Sequence, residues 1–493
     1  MIPLGHRFAP ITGGGLYRGT TGTVYDLVFQ DWDVRRHVVV SGETPKHLPE
    51  DDAQAYENLE DKLTLALQDN ASRIIPPAWA FRFGPQLDLI SADKGQSLEY
   101  DPRDTTPYPL LSGCPHLAEL PRFARDELIE VDRMQMRVDK CVHTTKRGDQ
   151  MTLVVKYALF RSGLESLWQE IDIWRSIPPH PNIVTINSLI VDEVEHRLVG
   201  FSTPFVPGGT LEKGERTFKL KWLKDLLQAI DQLNLQHGVM HRDIHPRNMV
   251  VDPRTDKLQL IDFNHARRIG PSIYHDVSDI QSNGLGLWDH DKDPNNDISG
   301  AVFSLYELIT GDFENRGHWE QLSSPKVVLD LTTWQHDPLR KLDHEVEVYR
   351  DTLTLWIHSR KDKDIKIFTD CPQHVPDFEP MPKRSSEPPS SRDKVLSSTS
   401  NGEWDAYGRY RVKWDRPAQE QLHPGVQYLF SGKPVPHPHL PLLRIFWRVL
   451  GVLSSSIRGV GGLLKYSLSR PASLLFRLLG LIRTAFNRTT DMR

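Results

Sequence analysis

Only three cysteines, Cys114, Cys141 and Cys371, occur in 493 residues, and no two stand at a metal-ligand spacing. That excludes a disulfide framework and a structural zinc site as sources of stability, and points to a reducing compartment, the cytoplasm. Long apolar runs are missing as well. No stretch of about eighteen residues is both apolar and free of charge, which argues against a membrane-spanning helix. The opening Met1-Ile2-Pro3-Leu4-Gly5-His6-Arg7 has no apolar core of the length a secretory signal needs. Excess positive charge is absent from most of the chain: the net charge is −5, yet residues 441–493 hold nine Lys or Arg against one acid, which leaves −13 on residues 1–440. Nucleic acid is therefore not expected as a partner of the acidic body. With 38% hydrophobic and 25% charged residues the composition is that of a soluble globular protein, and the length exceeds one ordinary domain.

What is present centres on His241-Arg242-Asp243-Ile244-His245-Pro246-Arg247-Asn248, followed nineteen residues after Asp243 by Asp262-Phe263-Asn264. Between them, Met249-Val250-Val251 and Leu258-Gln259-Leu260-Ile261 read as strands joined by the turn-forming stretch 252–257. The pattern predicts a hairpin with a carboxylate at each end. This stretch resembles the catalytic loop and metal-binding strand end of the eukaryotic protein-kinase family, whose motifs are H-R-D, an Asn five residues on, and D-F-G. On that resemblance Asp243 is the base or hydroxyl-positioning group, Arg247 supplies a cation near the transferred phosphate, and Asn248 and Asp262 hold magnesium on ATP.

The resemblance extends in both directions. Leu153-Val154-Val155-Lys156 is similar to the family's V-A-I-K, which makes Lys156 the phosphate-binding lysine. Glu170 opens an apolar-periodic stretch running into His180-Pro181-Asn182-Ile183-Val184 and is its expected ion-pair partner, with Glu165 as the fallback. The strand from Arg197 to Thr203 leads into Pro204-Phe205-Val206-Pro207-Gly208-Gly209, similar to the hinge between lobes. There Thr203 flanks the adenine pocket, Phe205 and Val206 supply backbone groups, and Pro204 removes one donor. Leu220, Leu223, Leu227, Ile230 and Leu233 recur at helical spacing before Gly238. Asp297 caps a second helix through Ile309 and anchors the catalytic loop in a structural role.

Three family features are missing. No G-x-G-x-x-G precedes Lys156; the place is taken by Met134-Gln135-Met136-Arg137-Val138-Asp139-Lys140-Cys141. Asn264 stands where the family has a flexible Gly, although Asn tolerates left-handed backbone. No A-P-E occurs between Asp262 and Asp297, while Ser272, Tyr274, Ser278 and Ser282 supply hydroxyls in that interval. His245, two residues after Asp243, reads as a satisfied polar group.

The expected fold is α+β: a bilobal protein-kinase-like domain over residues 127–360, preceded by a β-containing extension over 1–125 with a helix near 51–67 and a Pro-rich linker over 101–121. A disordered linker over 361–403, an aromatic segment over 404–436 that docks back on a domain, and a basic amphipathic tail over 437–493 follow. That tail is expected to lie on an anionic membrane surface, which makes the protein peripheral there. The function implied is ATP- and magnesium-dependent phosphorylation of protein Ser or Thr. The alternatives are a pseudokinase that binds nucleotide or partners without turnover, and a small-molecule phosphotransferase of the aminoglycoside or choline kinase type. Arg242 and Phe263 favour the protein-kinase branch.

Overall fold

The computed structural model describes residues 2, 7–10, 17–18, 24–44, 53–71, 78–93, 106–212, 216–270, 296–316, 324–360, 363, 365–376, 380–382, 402–404, 410–422 and 425–435. In the extension, β1 (Phe8–Pro10), β2 (Tyr17–Arg18), β3 (Val24–Asp31), β4 (Arg36–Glu43), α1 (Ala53–Ala71), β5 (Ala80–Phe83) and β6 (Leu89–Asp93) follow one another. The sheet order is β1-β3-β4-β5-β6, with β2 also on β3, and α1 is the crossover between the parallel strands β4 and β5. Alternation puts Tyr25, Leu27, Phe29, Val38 and Val40 in one core with Leu59, Leu63 and Leu67 of α1. Gly13-Gly14-Gly15 and Gly19-Thr20-Thr21-Gly22, which read as turns between strands rather than as a phosphate loop, lie outside the described residues.

A second, larger core holds the two lobes. The small lobe is built from β7 (Arg122–Ala124), β8 (Leu128–Gln135), β9 (Val138–Thr144), β10 (Gln150–Tyr157), α2 (Arg161–Ser176), β11 (Ser188–Val191) and β12 (Leu198–Pro204). The large lobe contains α3 (Leu220–Asp231), β13 (Val239–Met240), β14 (Met249–Asp252), β15 (Lys257–Leu260), β16 (Arg267–Arg268), α4 (Asn296–Thr310) and α5 (Val346–Arg360). A hairpin of β17 (Gly402–Trp404) and β18 (Tyr410–Val412) follows, and β19 (Tyr428–Leu429) closes the small-lobe sheet in the order β19-β8-β9-β10-β12-β11-β7. The bilobal α+β arrangement is the one the motifs imply. The helix expected from Leu220 to Leu233 is α3, continued by one wider turn at Gln232–Gln236.

One face of β10 carries Thr152, Val154 and Lys156, and the other carries Leu153, Val155 and Tyr157. An antiparallel sheet commonly leaves one face to water. Here the Tyr157 face is covered by segments from both ends of the chain. The β3–β4 turn inserts Arg35, whose guanidinium lies 4.6 Å from the Tyr157 ring and 4.1 Å from Phe430, and pairs with Asp139 at 2.5 Å. From the other side Trp414 stacks on Tyr157 at 5.2 Å. Arg416 pairs with Asp139 and Glu130, each at 2.6 Å, and donates to the carbonyls of Trp32 and Asp33. Burial would push Glu130 up, yet Arg416, Arg133 and Arg35 together hold it down at about 2.

Two boundaries differ from the sequence reading. The stretch read as a linker over 101–121 is, from residue 106 onward, part of the core: Tyr108, Leu111, Cys114 and Leu117 are buried, and the Tyr108 hydroxyl donates to Ala158 O at 2.6 Å. Its prolines break regular structure without preventing burial. The linker expected to be disordered over 361–403 contains residues 365–376, which pack on the large lobe. Val375 and Cys371 are buried there, and Val375 N donates to His237 O at 3.2 Å. Local polarity concealed these apolar anchors. Residues 377–379, 383–401 and 436–493 lie outside the described residues, which takes in most of the remaining linker and the whole basic tail. Among the described residues no helix is long and apolar enough to cross a membrane.

The aromatic segment docks as expected, with Tyr410 and Trp414 buried; Tyr407 lies outside the described residues. Because Arg35 is fully enclosed with Asp139, its removal strands a buried carboxylate with one fewer cation. Arg35→Ala should lower the unfolding free energy by about 3–5 kcal/mol in urea titration. A loss below about 1 kcal/mol would show that the extension is not bound to the small lobe in this way.

Candidate active site

The catalytic loop is positioned from beneath by α4. Asp297, fully buried, accepts from His241 N at 2.9 Å, Arg242 N at 2.7 Å and the Asn234 side chain at 2.8 Å. Those bonds stabilise Arg242 in left-handed backbone, φ 67°, a conformation costing a non-glycine residue about 1–3 kcal/mol. Gly300 makes the close approach feasible, since a Cβ there would meet Ile244 Cβ at 2.7 Å. Asp243 then accepts from Asn248 Nδ2 at 2.7 Å and from Arg247 Nη2 at 3.1 Å. The hairpin β14–β15 carries the chain on to Asp262, and Ile261 N donates to Asn248 O at 3.1 Å, so the two ends of the hairpin are tied together.

His245 accepts from Arg247 N at 3.4 Å, and burial, with Arg316 and Arg247 nearby, lowers it to about 4. It is neutral at pH 7, which leaves Arg247 as the cation beside Asp243. The left-handed residue near the second motif is Asp262, φ 67°, and not Asn264. The tolerance argued for Asn264 is therefore not called upon.

Lys156 Nζ lies 2.8 Å from Glu170 and 2.5 Å from Asp262. One ammonium thus joins β10, α2 and the end of the hairpin. Burial disfavours charged Lys156, but Asp262 and Glu170 outweigh it and raise its pKa. Burial likewise opposes ionised Asp262, and Lys156 again wins, holding that carboxylate below its usual range. Glu170 is pushed up to about 7 by burial, against Lys156 and with Asp262 adding to the rise. Glu165, the fallback partner, pairs on the surface with Arg161 at 3.1 Å.

Lys156 does not stand alone on its face of the sheet. Val138, Lys140, Val154 and Thr203 share its face by register, and the Lys140 ammonium lies 3.9 Å from the Phe205 ring. The hinge reading needs one correction: Phe205 N donates to Thr152 O at 3.1 Å, because the β10–β12 ladder continues past Pro204 and takes that donor. Val206 keeps its N–H without a partner among the described residues. In the place of the family's glycine loop, β8 and β9 meet in a tight hairpin, Gln135 opposite Val138. Its tip is tied down by Tyr157 N donating to Arg137 O at 3.1 Å.

Asn248 turns its Nδ2 to Asp243, and among the described residues its Oδ1 accepts no hydrogen bond. That oxygen and the Asp262 carboxylate are the hard ligands magnesium takes when phosphates complete its shell. Among the described residues no group of three or more His, Cys, Asp or Glu is placed to hold a metal by itself.

The family model of the protein kinase domain matches residues 132–281. The chain carries a eukaryotic protein-kinase-like domain. It is 26% identical over 202 residues to calcium-dependent protein kinase 32 of Arabidopsis thaliana, covering 37% of this chain and 36% of the relative. It is 27% identical over 118 residues to casein kinase II subunit alpha' of Saccharomyces cerevisiae, covering 23% of this chain and 34% of the relative. The match spans about a third of the length of these relatives.

The kinase domain has further supports that sequence reading missed. Trp174 on α2 packs on Phe201 at 5.6 Å and Phe263 at 4.8 Å, and Phe263 on His241 at 4.7 Å. This aromatic column runs from the small-lobe sheet to the catalytic loop. Arg268 pairs with Asp172 of α2 at 3.0 Å and also donates to Pro376 O. Arg316 binds Glu307 at 2.7 Å and Ile244 O at 3.1 Å, buttressing the loop from 72 residues away. Only the spacing of Trp174, four residues after Glu170 and so on the same helix face, was visible in advance.

Glu170 yields a pH prediction. Its folded-state value, about 7, lies above the ordinary 4.5, so its contribution to stability is full below about 4.5 and is lost as pH rises through about 7. The ion pair with Lys156 follows the opposite course and is complete above about 7. The Glu170 contribution to the unfolding free energy should therefore fall between pH 6 and 8, and Glu170→Gln should remove that pH dependence. An unchanged profile in the variant would assign the ionisation elsewhere.

Proposed function

We propose that the kinase domain transfers the γ-phosphoryl group of ATP to serine or threonine hydroxyls of proteins. The observation that carries this reading is the shared ammonium of Lys156 between Glu170 and Asp262, with Asp243 and Asn248 hydrogen-bonded to each other on the adjacent loop. Phosphoryl transfer asks a protein for alignment and charge stabilisation more than for covalent participation. Glu170 holds Lys156 at the α- and β-phosphates, while Val138 and Val154 cover the adenine. Asp243 accepts a hydrogen bond from the acceptor hydroxyl and aligns its oxygen, and Arg247 balances the charge of the arriving phosphoryl oxygens. Asn248 and Asp262 would hold magnesium, which would supply charge neutralisation on the phosphates. The relatives named above are protein kinases by name, which supports a protein acceptor.

A second reading, a domain that binds nucleotide without turnover, is favoured by one observation. The hairpin above Lys156 is tied by its Arg137 carbonyl and offers no glycine cradle for the γ-phosphate. Asp243→Asn separates the two. It should retain MgATP binding by thermal shift yet lose phosphate transfer to protein by about 10²-fold or more, whereas Lys156→Met should weaken both. Wild-type transfer no greater than that of the Asp243→Asn protein on protein, choline and aminoglycoside acceptors would leave the binding reading standing.

For location we propose the cytoplasm with peripheral attachment to anionic membrane through residues 437–493, on the strength of their Leu-rich, Arg-rich sequence. The full-length chain should float with anionic liposomes at low salt and be released at high salt. Failure to float under either condition counts against the anchor.

A further inference from the structure

The hairpin between β8 and β9 lacks glycine, but it carries an arginine in an unusual setting. Arg137 adopts left-handed backbone, φ 61°. Its carbonyl is held by Tyr157 N, the residue after Lys156, and its neighbour Val138 sits opposite Lys156 in the sheet. Its side chain runs to α2, where the guanidinium fills the space left by Gly163: a Cβ built there would meet Nη1 at 3.2 Å.

Gly163 and Glu170 are seven residues apart and share one face of α2, separated by about 10 Å along the axis. That face therefore meets two cations, Lys156 at Glu170 and Arg137 two turns away, and the Arg137 charge acts on Glu170. Lys156 has two carboxyl partners, Glu170 and Asp262. Arg137 is half-buried, and no hydrogen bond or ion pair joins its guanidinium to any of the described residues. A partly desolvated guanidinium presents five donors in a rigid fork, and its natural partner is a phosphate or carboxylate.

We propose that Arg137 is a nucleotide-phosphate ligand, supplying by a side-chain cation the contact that a glycine-rich loop would supply by backbone amides. This rests on the nucleotide reading above. The tight hairpin then follows from the mode of binding: a backbone cradle needs a long, bare loop, whereas a side chain needs a fixed root from which to reach. The Tyr157–Arg137 bond fixes that root, and Gly163 leaves space against α2 for the guanidinium.

Titration calorimetry with MgATP and with adenosine on the full chain tests the assignment. Arg137→Gly, which suits the positive φ and is checked for folding by thermal unfolding, should weaken MgATP by ten- to a hundredfold and leave adenosine within twofold. Arg137→Lys should recover part of the loss. If wild type binds MgATP and Arg137→Gly binds it equally well, the proposal falls while the nucleotide reading stands. Equal losses for MgATP and adenosine also overturn it, since they report a general collapse of the nucleotide site. If folded wild type binds neither ligand, the nucleotide reading fails and this proposal with it.

Discussion

One ammonium group organises the domain. Lys156 is shared by Glu170, two turns inside α2, and Asp262, at the end of the β14–β15 hairpin. Three segments from two lobes therefore meet at a single charge. A largely buried lysine is costly without partners, and two carboxylates brought together, Glu170 buried and Asp262 partly exposed, repel each other without a cation. Each group is tolerable only because the other two are present, so the position of α2 and the position of Asp262 become one condition.

The remaining contacts keep that condition satisfied without bearing charge at the site. The column of Phe201, Trp174, Phe263 and His241 holds α2 against the hairpin by dispersion and ring geometry. Asp297 fixes the left-handed Arg242 and so the direction in which Asp243 points. On the far side of the sheet, Arg35 from before the domain and Arg416 from after it meet over Tyr157. The extension and the segment after the domain thus act as one cover, which stiffens the strand that carries Lys156.

The absent glycines illustrate how a missing motif is read. A glycine loop is a solution to one problem, bringing positive potential to phosphates. Its absence leaves that problem open, and the sequence shows only bulky residues at the place. The hairpin register, the positive φ of Arg137 and the space at Gly163 are what the proposed different solution rests on, because they show where a side chain six bonds long is rooted and what it lies against.

Legibility in the sequence followed the range of the interactions. The β14–β15 hairpin, α3 and α4 were legible from local periodicity, and Lys156, Glu170, Asp243, Asn248, Asp262 and Asp297 from motifs that resemble the kinase family, but the meeting of Lys156 with Asp262, 106 residues on, was not. The burial of residues 106–120 and 365–376, the role of Arg316, the loss of the Phe205 donor to Thr152, and the Arg35–Asp139–Arg416 cluster were not. Each joins residues far apart in sequence, where composition around either partner reads as loop or linker. A side chain's chemistry belongs to the sequence, but whether a charge is buried, a donor taken or a turn inserted depends on which distant backbone lies against it. Tertiary structure alone decides that.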